Sequence, residues 1–171
     1  MKGLVDNTKI NLDIIPLSKI EMLENIPSIK TICLFEANNS TEESQLKYVL
    51  KLLIDKGVIS FIFFGKFEEQ LHDIADDVIE TDYMQQEIVT DGVIETDYMQ
   101  QEIVTATSLG DKGKDLYDFF LNAMYFENDE YRFLAIMNEA SANFKKNSAT
   151  LRSMFQEKLN KVGEDNETGK I

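Results

Sequence analysis

The 171-residue sequence predicts an α/β fold, a three-layer Rossmann-like or flavodoxin-like sandwich on a mainly parallel sheet of roughly 4–5 strands. Three observations predict it. Short apolar, β-rich runs alternate with helix-periodic segments of about 10 to 16 residues, the length of a crossover rather than of a hairpin loop. The run Val58–Gly65 (VISFIFFG) is apolar on both faces, as in a strand covered by helices above and below. Finally, 43% apolar content in a chain of this length is enough for one core.

The elements follow in order. Lys9 to Ile15 (KINLDII) alternates loosely and reads as a short strand. Ser18 and Glu21 have the spacing of a capping box, in which hydroxyl and carboxylate each accept a free backbone N–H, and predict a short helix to about Asn25 before Pro27. Thr31 to Ala37 (TICLFEA) is a second strand. Ser40 and Glu43 form another capping box, followed by Leu46, Val49, Leu50 and Leu53 at helical spacing and closed by Gly57. After the strand from Val58, the residues Phe67, Leu71, Ile74, Ala75 and Val78 give the next helix its buried stripe. Glu102 to Thr107 (EIVTAT) is another strand, with Leu116, Phe119, Phe120 and Ala123 marking the helix after it. Tyr131 to Met137 (YRFLAIM) is the last strand. Leu151, Met154, Phe155, Leu159 and Val162 mark a C-terminal amphipathic helix. Residues 1–162 read as a single domain and 163–171 (GEDNETGKI) as a flexible tail.

An internal repeat interrupts this pattern. Residues 76–90 read DDVIETDYMQQEIVT and residues 91–105 read DGVIETDYMQQEIVT, identical except for Asp77 against Gly92. Two copies are too few, and too alike, for a solenoid. The segment reads as one linker and strand copied once. Its junction places Asp91-Gly92 between β-branched residues, the signature of a type I′ hairpin, which predicts pairing of Glu87–Thr90 with Val93–Thr96. The alternative is a lengthened helix with Ile79, Tyr83 and Ile88 facing inward.

Charge is the strongest feature of the whole chain. There are 31 acids against 17 Lys and Arg, a net charge of -14. Between Lys66 and Lys112 there is no Lys or Arg, and 13 of the acids lie in that stretch. Such a field repels phosphate backbones, arguing against direct nucleic-acid binding, and attracts a basic protein surface. The acids Asp73, Asp76, Asp77, Glu80, Asp82, Asp91, Glu95 and Asp97, with Tyr83 and Tyr98 beside them, are the expected partner-binding residues. No apolar stretch approaches the ~20 residues of a membrane span, and the acidic N-terminus does not read as a signal peptide, so a cytoplasmic, non-membrane protein is expected.

Catalytic and metal constellations are missing from the pattern. Cys33 is the one cysteine and His72 the one histidine, so disulfides and multi-histidine sites are ruled out, and no cofactor is expected. His72, Asp76 and Glu80 share a helical face, a spacing that matches a solvated acidic face as well as an ion site. The loop SLGDKGKD, residues 108–115, has only two residues between its glycines and Asp115 after the lysine, so it is not a P-loop. The strand ends bring Glu36, Asn38, Asn39 and Ser40, then Gly65 and Lys66, then Thr107 and Ser108, then Asn138 and Glu139 to where ligands sit in parallel sheets. They offer no pair of nucleophile and base.

The segments TICLFEANNSTEE, LLIDKGVISFIFFGK, LHDIADD, EIVTAT and LYDFFLNAMYF, spanning about Thr31 to Phe126, resemble a family of small bacterial proteins of unknown function. In that family the linker occurs once, so the duplication is a departure. The resemblance implies the fold and no activity. Two functions are therefore expected from the sequence: an immunity or inhibitor protein that neutralises a basic partner such as a nuclease toxin, or a small-molecule or nucleotide-binding domain using the strand ends. The first is favoured by the charge, and the oligomeric state is left open.

Overall fold

The computed structural model describes residues 10–37, 43–83, 87–90, 93–96, 103–108, 112–122 and 130–168. Strands β1 (Ile10–Pro16), β2 (Lys30–Glu36), β3 (Val58–Phe64), β6 (Val104–Thr107) and β7 (Tyr131–Met137) form one all-parallel sheet in the order β1-β7-β2-β3-β6. Strands β4 (Glu87–Thr90) and β5 (Val93–Thr96) form a separate antiparallel pair. The helices are α1 (Glu43–Asp55), α2 (Glu68–Val78), α3 (Lys114–Asn122) and α4 (Phe144–Thr168).

Alternation along the strands builds two cores. Cys33 and Phe35 of β2, Phe61 and Phe63 of β3, and Leu134 and Ile136 of β7 point to one face, where α1 and α2 cover them with Leu50, Leu53, Leu71 and Ala75. Ile32, Leu34, Ile62, Phe133 and Ala135 point to the other, under Leu116, Tyr117 and Phe120 of α3 and Leu151 of α4. This is what right-handed crossovers require. The steps β2 to β3 to β6 all move the same way and place their helices on one face, whereas β6 to β7 runs back across the sheet and carries α3 to the other. The sandwich and the near-continuous burial of β2, β3 and β7 match the sequence expectation.

Gly57 turns the chain between α1 and β3. Its φ is +95°, and a Cβ there would lie 2.3 Å from the Ile29 carbonyl oxygen, so the tight return that donates from Thr31 N–H to its carbonyl depends on glycine. Arg132 is 2% exposed in β7. It donates to the Pro27 carbonyl at 2.9 Å and to Thr31 Oγ1, with Asp13 of β1 at 3.9 Å. It ties the amino-terminal ends of β7 and β2 to the middle of β1.

Several local expectations change. The capping box at Ser18 does not form: residues Leu17–Asn25 make a 3-10 helix, interrupted at Lys19, and the Ser18 N–H donates to the Glu139 carboxylate at 3.2 Å instead. A carboxylate arriving from the end of β7 replaces the local cap. The stripe of α3 is Leu116, Tyr117, Phe120 and Leu121, while Phe119 is 44% exposed, because positions 116, 117, 120 and 121 share one face at 3.6 residues per turn. Helix α4 continues to Thr168, through Gly163, where the sequence reading ended the helix. Ser40 and Ala123 lie outside the described residues. The hairpin pairs Glu87 with Thr96 and Thr90 with Val93, the expected register, while its turn at Asp91-Gly92 lies outside the described residues. The alternative is realised in part as well, since a π-turn over Ile79–Tyr83 extends α2 and buries Ile79.

Candidate functional site

Where neighbouring parallel strands send their connections to opposite faces, the loops part and leave a crevice at the carboxyl ends. Strands β3 and β6 meet this condition: β3 leads to α2 on one face and β6 leads to α3 on the other. A cavity of about 580 Å³ lies there, lined by Phe64, Gly65, Lys66, Glu68, Ser108, Lys112, Gly113, Leu116, Tyr117, Asn143 and Asn147. That volume is within the range of small-molecule sites.

Each wall has a local cause. Gly65, at φ +102°, bends the chain out of β3, and its carbonyl accepts the Glu68 N–H at 3.3 Å, which starts α2 at the rim. Ser108 carries the β6 ladder one residue further by donating its N–H to the Phe63 carbonyl at 2.9 Å. Its hydroxyl, on a residue only 4% exposed, donates to Glu68 Oε2 at 2.5 Å. This is a charge-assisted bond at the short end of its kind, and it holds the carboxylate in place. On the far side, the Gly113 carbonyl accepts the Tyr117 N–H at 3.1 Å and opens α3, with empty space around Gly113 itself. Tyr117 is buried, and burial, helped by the Glu36 carboxylate, pushes its phenol pKa up to about 12. Its hydroxyl stays neutral at any physiological pH. The Asn147 N–H donates to the Asn143 carbonyl at 2.8 Å in the first turn of α4, which places both side chains on the cavity wall.

The crevice gathers the two lysines that bound the base-free stretch. Lys66 and Lys112 are 46 positions apart in the chain and line one cavity. Lys66 also lies over the Phe67 ring at 5.3 Å. In a chain of net charge -14, a pocket with two cations and one carboxylate is a local reversal of sign.

The second crevice, between β2 and β7, is occupied by protein contacts. Glu36 accepts the Asn138 N–H at 2.6 Å, and Glu139 accepts the Ser18 N–H. Beside it is a hollow of about 100 Å³ among Leu17, Ile20, Phe35, Leu46, Val49, Phe67 and Leu71. Asn38, Asn39 and Ser40 fall outside the described residues.

The residues expected to bind a partner are divided. Asp77 pairs with Lys47 at 2.7 Å and Asp82 with Lys51 at 2.5 Å, joining α2 and its π-turn to α1. Tyr83 donates its hydroxyl to Asp55 at 2.9 Å. Asp76 accepts the Thr105 hydroxyl at 2.6 Å, and His72 completes this cluster, with Nε2 at 3.2 Å from Thr105 and Nδ1 at 3.5 Å from Asp76. Asp73, with an 86% exposed side chain, and Glu80 face solvent. Asp91, Asp97 and Tyr98 lie outside the described residues, as does the side chain of Glu95. Among the described residues no group of three ligating side chains gathers around one point, and no helix is long and apolar enough to cross a membrane.

Sequence reasoning placed Gly65, Lys66 and Ser108 at strand ends but missed Glu68, Lys112, Asn143 and Asn147. Glu68 was counted with the acidic run, and its pairing with Ser108 spans 40 residues of sequence. The sequence signal that could have marked this site is the pair of lysines bounding the acidic stretch, which the sequence reading used only as the limits of that stretch. Comparison of the chain with protein-family models, with curated proteins and with solved structures finds no match.

Proposed function

We propose that the protein binds a small, anionic organic ligand in the crevice between β3 and β6. The observation that carries this reading is the cavity of about 580 Å³ at a topological switch, lined by Lys66 and Lys112 together with the hydrogen-bonded Ser108–Glu68 pair. The apolar part of the wall, Phe64, Leu116 and Tyr117, buries a carbon skeleton, and the polar groups orient it. The reading drawn from charge alone is kept as the second one below; three of its acids, Asp76, Asp77 and Asp82, also contact Thr105, Lys47 and Lys51.

The test is a thermal-shift screen with anionic metabolites, repeated on Lys112→Ala. A ligand at one hundred times its Kd adds about 2.7 kcal/mol to the folded state, which raises Tm by roughly 5–10 °C in a domain of this size. Loss of that rise in Lys112→Ala supports the reading; a flat screen refutes it.

A second reading, an acidic face that docks a basic protein such as a nuclease toxin, is supported by the 13 acids between Lys66 and Lys112 and by the exposure of Asp73 and Glu80. Its test is a pull-down at low and high salt. Recovery of a basic partner lost at high salt supports it, and recovery of salt-insensitive binders alone overturns it.

A further inference from the structure

Resting on the crevice reading above, we infer that its ligand is a nucleoside monophosphate, recognised through the ribose hydroxyls by Glu68. The argument starts from the carboxylate. A glutamate on the wall of an anion-binding cavity repels the ligand unless it meets a donor. Among the described residues the Glu68 carboxylate has one hydrogen-bond partner, the Ser108 hydroxyl on Oε2. The second oxygen is left for the ligand. Two adjacent hydroxyls supply donors to one carboxylate without adding charge, which is how acidic residues read ribose at other parallel-sheet switch points.

The rest of the cavity selects the other two parts. Lys112, on the loop before α3, and Lys66, beside α2, line the same crevice and supply cations for phosphate. Phe64, Leu116 and Tyr117 give the apolar part of the wall for a base, and Tyr117 keeps its proton because burial raises its pKa. Asn147 provides a neutral amide, with both donor and acceptor, for a base edge. Size favours a larger ligand: inorganic phosphate or a short hydroxy acid fills a minor part of about 580 Å³ and leaves the apolar wall wet.

The experiment is calorimetric titration of the full chain with the common nucleoside monophosphates, their 2′-deoxy forms, ribose 5-phosphate and inorganic phosphate, on wild type and on Glu68→Gln. The expected result is that a ribonucleotide binds at least about tenfold tighter than its deoxy form and than ribose 5-phosphate. In Glu68→Gln the ribo-over-deoxy preference shrinks to about twofold or less, while the unliganded Tm stays within a few degrees of wild type. The deoxy comparison on wild type needs no variant and decides the matter even if Glu68→Gln folds poorly. Equal binding of ribo and deoxy forms, or binding of ribose 5-phosphate as tight as that of the nucleotide, overturns the inference. If another anion class binds and Lys112→Ala abolishes it, the nucleotide inference falls while the crevice reading stands; if nothing binds, both fall.

Discussion

Removing residues 91–105 leaves one copy of the repeated segment between α2 and β6, and the fold sets the outcome. Asp76 begins the first copy and Thr105 ends the second, and the two are hydrogen-bonded at 2.6 Å. The boundaries of the duplicated stretch therefore already touch. From Asp76 the helix and π-turn carry the chain about 10 Å to Tyr83, at ~1.5 Å per residue. From Thr105 back to Ile103 is about 7 Å in the same direction, since α2 runs antiparallel to β6. The ends differ by only a few ångströms along this axis and by roughly 10 Å between the layers. After the deletion Ile88 and Thr90 stand where Ile103 and Thr105 stood, and the four residues 84–87 (MQQE) join Tyr83 to Ile88. Their reach of about 17 Å is sufficient.

The energetic change is small and favourable. Each halving of a loop is worth about 0.6 kcal/mol, and the β4–β5 hairpin already closes part of the 19 residues between Tyr83 and Ile103, so the gain is about 1 kcal/mol. An isolated two-stranded hairpin contributes close to nothing of its own. Urea unfolding should therefore show a folded variant with a higher midpoint. A loss of more than about 1 kcal/mol refutes the reasoning, because the hairpin must then pack on the body of the domain. Deleting residues 76–90 instead puts Gly92 where Asp77 pairs with Lys47, and this variant should be less stable than the first by about 0.5–1 kcal/mol.

Further outcomes follow from single contacts. Thr105→Val removes the hydroxyl shared by Asp76 and His72 and should cost about 1–2 kcal/mol in urea unfolding, and a change below about 0.5 kcal/mol would show that the cluster is slack. Phe133→Leu, at the centre of rings contributed by Phe120, Tyr131 and Phe155 at 5.2 to 6.0 Å, should cost about 1–2 kcal/mol and lower Tm. Cys33 is fully buried and burial pushes its thiol pKa up, so a thiol reagent in native buffer should label it at least about 1,000-fold more slowly than in denaturant; rapid native labelling would contradict this core. The carboxyl of Glu139 has a pKa held below its ordinary value by the Ser18 hydrogen bond. Its contribution is complete above the ordinary glutamate value and is lost as pH falls through the lowered one, so Glu139→Gln should flatten the acid limb of a stability–pH curve. An unchanged limb would show that the bond does not persist in solution.

The parts of the fold written in local pattern were legible in the sequence. β7 matches its expected residues from Tyr131 to Met137, and the hairpin register follows from Asp91-Gly92 between β-branched runs. The parts decided by distant residues were not. Ser18 has the spacing of a cap, but Glu139, 121 positions away, takes its N–H. Phe119 has the hydrophobicity of a core residue, and only the seating of α3 on the rest of the fold decides that Tyr117 and Leu121 go inward beside Leu116 and Phe120 instead. The candidate site was half legible for the same reason. Strand ends are local features, whereas the closeness of Glu68 to Ser108 depends on two crossovers leaving neighbouring strands in opposite directions.

Among the described strands β7 is the last to be synthesised, yet it lies between β1 and β2. Among the described residues β1 has no other partner in the sheet. On the ribosome, β2, β3 and β6 with α1 and α2 can assemble as a contiguous half, while residues 10–16 must wait until Met137 has emerged. β1, the first of the described strands to be made, is thus the last of them to be fastened. A chain stopped before Tyr131 does not merely lose an end: its sheet is split through the middle, with an uncovered edge on β2 and an orphaned β1. Early termination should therefore yield aggregation rather than a shorter folded protein.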